Sequence, residues 1–229
     1  DISDAFVGAT LSAVNLTGTA FNITDVATSV AATFDGSALT GDGATISTGL
    51  TVAGSATAGS TITGSAVHDA FTIAAEGSTY NGNAGDDTFT TTVAILVADG
   101  ATDVVLAGGA GTDTLTVTGN NTTLTDNHFT NVSAFEKLTF TGTQDVSVTS
   151  GTAFNSGFAS GVTITDGVTA TTKNVTYALG LSNVDATIVS IGGSQTGATT
   201  EDVNITTGSG ADTVTFSAAG WIGEAGAGG

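Results

Sequence analysis

Gly108-Gly109-Ala110-Gly111-Thr112-Asp113-Thr114-Leu115-Thr116 constrains the fold of this chain more than any other stretch, because nine residues encode a turn, an anionic oxygen and the start of a strand. The glycines permit tight turns that aim carbonyl oxygens inward, Asp113 adds a hard oxygen donor, and Leu115 begins an apolar face. The order G-G-x-G-x-D-x-U-x is that of a nonapeptide repeat whose copies wind into a parallel coil around calcium. Gly82-Asn83-Ala84-Gly85-Asp86-Asp87-Thr88-Phe89-Thr90 departs from it only at the second glycine, where asparagine tolerates left-handed backbone angles. The copy that carries Asp212, from Thr207 to Thr215, lacks the first glycine. A fourth, Gly64-Ser65-Ala66-Val67-His68-Asp69-Ala70-Phe71-Thr72, keeps the first glycine, the aspartate and the apolar residue. Asp69 and Asp87 are two nonapeptides apart, one coil of a parallel β-roll, so they are expected one above the other.

Alternating apolar and polar runs recur along the chain, among them 20–24, 69–73, 113–117, 137–141, 145–148, 161–165, 174–177, 202–206 and 212–216. Period two is the strand signal, and abundant Thr and Val with 33 Gly favour strands and turns over helix. The fold class expected is all-β, either a hairpin-linked antiparallel sandwich or a parallel solenoid. The single Asn-Gly hairpin signal, Asn81-Gly82, itself opens a nonapeptide, which favours a β-solenoid or β-roll-like arrangement. Residues 1–60 carry no good nonapeptide and are read as an N-terminal β region, continuous with the rest or sandwich-like. Residues 61–229 are read as the calcium-binding solenoid.

Twenty-one acidic residues against two lysines, Lys137 and Lys173, give a formal net charge of −19. A phosphate backbone needs a basic face, so nucleic acid is excluded as a partner, and anionic membrane surfaces are disfavoured. Divalent cations suit this charge, since carboxylates that repel one another are stabilised by a shared ion, although acidity also serves solubility. No cysteine is present, so disulfides and thiolate metal sites are excluded. No run approaches the length that spans a bilayer, so no membrane insertion is expected. The start at Asp1 and the glycine-rich end at Gly226-Ala227-Gly228-Gly229 suggest a piece of a longer protein.

Calcium takes six to eight oxygens, more than one nonapeptide offers, so neighbouring turns must complete a site. The metal-ligating candidates are Asp69, Asp86, Asp87, Asp103, Asp113 and Asp212, with Asp99 in the same acidic region and Gly82, Gly85, Gly109 and Gly111 as turn positions. The competing reading is that Gly-x-Gly-x-Asp is ordinary turn chemistry in a Gly- and Asp-rich chain. His68 and His128 stand alone beside aspartates with no nucleophile motif, and no P-loop, H-E-x-x-H or G-x-S-x-G pattern occurs, so no catalytic residue is assigned. Asn-x-Ser/Thr triplets at Asn15, Asn22, Asn120, Asn121, Asn131, Asn174 and Asn204 are expected by chance in a Thr-rich chain, and Trp221 is read as a plug at the solenoid end.

The motifs ending at Phe89, Leu115 and Val214 resemble those of RTX proteins, calcium-dependent proteins exported by type I secretion. Phe129-Thr130-Asn131-Val132-Ser133-Ala134-Phe135-Glu136-Lys137-Leu138-Thr139-Phe140-Thr141-Gly142 is similar to segments that follow glycine-aspartate repeats in bacterial surface-layer proteins of the Caulobacter and Campylobacter type. The resemblance implies calcium at Asp87 and Asp113, an extracellular place at the cell surface, self-association into a lattice and contact with surface polysaccharide. A stalk or carbohydrate-binding module of a large RTX adhesin is the alternative. The chain departs from the family in lacking an uninterrupted repeat array, which implies scattered sites rather than a regular β-roll.

Overall fold

A computed structural model describes residues 14–23, 31, 33–41, 48–54, 58–100, 103–120, 122–142, 145–166, 174–189 and 203–215. Trp221, Asn121, Lys173 and the glycine-rich end lie outside them. Nine strands form the main sheet in chain order: β2 (Phe21–Ile23), β4 (Thr48–Gly54), β6 (His68–Ile73), β8 (Thr88–Thr92), β10 (Thr114–Thr118), β13 (Lys137–Thr141), β15 (Val162–Asp166), β17 (Ala186–Val189) and β19 (Thr213–Val214). A second sheet has six strands, β1 (Val14–Gly18), β3 (Thr33–Leu39), β5 (Thr61–Thr63), β7 (Thr79–Asn81), β9 (Val105–Ala107) and β12 (Val132–Ser133). The third has four, β11 (Thr122–Leu124), β14 (Val146–Thr149), β16 (Val175–Ala178) and β18 (Val203–Thr206).

Among the described residues every strand pairing is parallel, so each circuit of the chain adds one rung to the main sheet, and the molecule is a parallel β-solenoid. The described strands of the N-terminal region, β1 to β4, pair within the same two sheets as those that follow. They continue the solenoid and form no sandwich.

Alternation decides which side chains are inside. Val52, Phe71, Phe89, Leu115, Leu138, Ile164 and Ile188 stack in register through the main sheet, and all are buried. Ile62, Tyr80, Leu106 and Val132 form the matching column of the six-stranded sheet. The two columns meet through edge-on rings, Phe71 against Tyr80 at 6.0 Å between centroids. Each such side chain contributes about 1.5–3 kcal/mol on burial. On the outward face, Thr72, Thr90, Thr116, Thr139 and Thr165 align in one column. Thr88, Thr114, Lys137, Thr163, Thr187 and Thr213 align in another.

Beyond the Asp69 coil the circuits lengthen. One coil separates Asp69 from Asp87 by 18 residues, the next separates Asp87 from Asp113 by 26. The extra residues form a helical turn, α1 (Val93–Leu96), and in later coils the third sheet, a 3-10 turn at Asp126–Phe129 and a short helix, α2 (Thr152–Gly157). Phe129 packs against Phe154 and Phe158, at 5.1 and 5.7 Å, and fills the added volume. The Asp126 carboxylate accepts hydrogen bonds from Ala153 N at 3.2 Å and Phe154 N at 2.8 Å, so one coil caps the helix of the next.

Candidate functional site

Asp69, Asp87, Asp113 and Glu136 occupy one column, at the edge of the main sheet, on four successive coils. From Asp87 onward, each carboxylate accepts the backbone N–H of the acidic residue one coil before it. Asp69 N donates to Asp87 Oδ1 at 2.7 Å, Asp87 N to Asp113 Oδ1 at 2.8 Å, and Asp113 N to Glu136 Oε2 at 2.9 Å. Parallel register sets this pattern, because the residue at the start of each strand lies beside its counterpart on the next rung. Val162 and Ala186 interrupt the column with apolar side chains, and it resumes at Asp212, which accepts Ala186 N at 3.0 Å.

The three buried aspartates of the column differ in what satisfies them. Asp69 is fully engaged, accepting Leu50 N, Ser65 N at 2.6 Å and the Ser65 hydroxyl at 2.8 Å. Asp87 and Asp113 are 1% and 0% exposed, yet Oδ2 of each has no hydrogen-bond partner. An ionised carboxylate oxygen left so is costly. Burial accordingly pushes the Asp87 carboxyl up to about 8, with the charges of Asp69, Asp113 and Asp86 adding to the effect. Burial likewise raises Asp113 to about 6, with Glu136 and Asp86 adding to it. Burial also raises Asp69, against the hydrogen bonds from Leu50 and Ser65.

Glycine makes room for this crowding of oxygens. A Cβ on Gly82 would stand 2.1 Å from Asp87 Oδ2 and 2.2 Å from the Gly108 carbonyl oxygen. A Cβ on Gly108 would stand 2.0 Å from the Ala134 carbonyl oxygen and 2.8 Å from Asp113 Oδ2. Each unpartnered carboxylate oxygen therefore shares a cradle with a carbonyl oxygen of the next coil. Gly85, Gly109 and Gly111 take φ of 114°, 112° and 146° at the turns, and Asn83 stands at 76°, as its place in the motif requires.

The remaining sequence candidates divide. Asp86 is exposed beside the column, where its Oδ1 accepts Thr112 N at 2.8 Å. Asp185 repeats that bond toward Ala211 N at 2.8 Å. Asp103 lies elsewhere: its carboxylate accepts Asp99 N and Gly100 N within its own loop and Asn131 Nδ2 at 3.4 Å. Asp99 and Asp103 do not join the column. Two members escaped the motif reading. Glu136 lies outside any nonapeptide, within the 129–142 segment and directly before the alternating run 137–141; Ser65, in a degenerate copy, locks Asp69. His68 Nδ1 hydrogen-bonds the Asp86 carbonyl oxygen, and His128 Nδ1 accepts Thr125 N at 3.0 Å in a capping turn.

Among the described residues no three His, Cys, Asp or Glu side chains converge as a metal cage. A cation at Asp87 or Asp113 would therefore draw most of its oxygens from carbonyls and water. Hard oxygen donors of this kind, one carboxylate oxygen beside carbonyls, fit calcium. Comparison with protein-family models, curated proteins and solved structures finds no match. A cleft of about 700 Å³ lies beside α2, lined by Thr152, Asn155, Ser156, Ser160, Asn183 and Asp185. Its polar groups are largely committed: Asn155 bonds Leu181 O and Asn183 N, Ser156 bonds Thr152 O, and Asp185 bonds Ala211 N. Among the described residues no helix is long and apolar enough to cross a membrane.

Proposed function

We propose that this chain is a structural element of an extracellular, cell-surface protein, a β-solenoid stiffened by calcium that associates with copies of itself as a surface-layer lattice or filament component. The observation that carries the reading is the pair of buried, unpartnered carboxylate oxygens on Asp87 and Asp113, each cradled beside a glycine and a carbonyl oxygen. Calcium there would neutralise two crowded acids and tie adjacent coils together, adding its binding free energy to folding. The resemblance of the 129–142 segment and of the nonapeptides to RTX surface-layer proteins supports the same reading. A structural role is supported by the histidines, since His68 Nδ1 bonds the Asp86 carbonyl oxygen on the next coil and His128 Nδ1 accepts Thr125 N.

Thermal melts of the chain in chelator, in calcium and in magnesium test it. Calcium, and not magnesium, is expected to raise the melting temperature, and Asp87→Asn with Asp113→Asn to remove most of that increment. Identical melting with calcium and with chelator would overturn the calcium reading.

A further inference from the structure

We propose that the outward threonine face of the nine-stranded sheet is the surface through which two copies of this chain associate. The face deepens the self-association proposed above and rests on that part of the reading alone, not on calcium. Along β6, β8, β10, β13, β15, β17 and β19 the outward positions hold threonine with only His68, Ala70, Lys137 and Val189 between, and no aspartate or glutamate. In a chain of net charge −19, this is a carboxylate-free face with one lysine at its middle. Among the described residues, Asp86, Asp99, Asp126, Asp145 and Asp185 stand instead along the turns. Approach through those edges sets several like charges against one another, whereas the sheet brings only one lysine from each copy.

The face also has suitable chemistry and size. Threonine presents a methyl group and a hydroxyl that both donates and accepts, so two such arrays are self-complementary across a two-fold axis. Register is unbroken from β6 to β19, which keeps the columns straight. The seven strands from β6 to β19, about 4.8 Å apart and each about five residues of 3.3 Å long, give roughly 550 Å² per copy. Two copies then bury roughly 1,100 Å², just above the threshold of about 1,000 Å² for a specific interface. Thr72, Thr92, Lys137, Thr141, Thr213 and Thr215 are exposed, so the face is open to a partner.

Sedimentation velocity on the full chain over a concentration series, in calcium and in chelator, tests this. Circular dichroism confirms that each variant is folded. Lys137→Glu, and separately Thr116→Glu with Thr139→Glu, are expected to weaken association roughly tenfold or more. Thr123→Glu, on an exposed position of β11 in the third sheet, is expected to leave it unchanged. Lys137 is itself exposed, so its reversal tests the face without disturbing the core. A folded wild type that stays monomeric overturns the proposal, as do face variants that associate as tightly as wild type or a Thr123→Glu loss of equal size. Association that persists in chelator and is lost in Lys137→Glu upholds the face while refuting the calcium dependence. Calcium-dependent folding of a strict monomer does the reverse.

Discussion

Ala134 holds φ at 55° and stands in register beside Gly108, with its carbonyl oxygen aimed at the Gly108 cradle. A left-handed angle costs a residue with a Cβ about 1–2 kcal/mol, and glycine returns most of it less its own chain entropy. Ala134→Gly is therefore expected to stabilise the chain by about 0.5–1 kcal/mol, read as a rise of roughly 1–4 °C in melting temperature. At this scale the sequence was legible where motif and register agree. Asp113 and Asp87 were found from nine-residue spacing, and Asp69 from one coil length. Glu136 was not, because a longer side chain does the same work from outside the motif. Asp103 was misplaced because acidity alone does not distinguish a loop that caps itself from a rung of the column.

Strands were the readily legible elements, since alternation marks them directly; the run 137–141 coincides with β13. The short helices carried no comparable signal. Thr152–Gly157 is too brief for a helical period to emerge, and its first N–H groups are satisfied by Asp126, 27 and 28 residues earlier. Only the stacking of coils makes that cap, so nothing local announces it. Asp126→Ala is expected to cost about 1–2 kcal/mol, because two partly buried N–H groups lose their acceptor. Thermal or denaturant melts would read the loss, and Asp126→Asn should recover part of it.

Burial of two column acids makes the stability of the whole molecule depend on pH in an uncommon direction. Asp87 at about 8 and Asp113 at about 6 lie above the ordinary carboxyl value of 3.8. The folded state then holds more protons than the unfolded state between these values, so stability falls as pH rises. In chelator the chain is expected to melt at a higher temperature at pH 5 than at pH 8. Calcium should flatten or invert that difference, since it replaces the protons. The overall parallel architecture was legible because the nonapeptides imply coils, while the lengthening of the circuits was not, because 18-residue and 26-residue circuits return to the same register of the main sheet. That constancy has a mechanical consequence. The ladder hydrogen bonds of stacked parallel rungs point along the solenoid axis, so tension applied along that axis bears directly on them rather than on the covalent chain. Rungs yield singly from an end, and each releases the slack of its own circuit. Pulled this way, the molecule behaves as a spring of unequal links, short at the Asp69 coil and long beyond it.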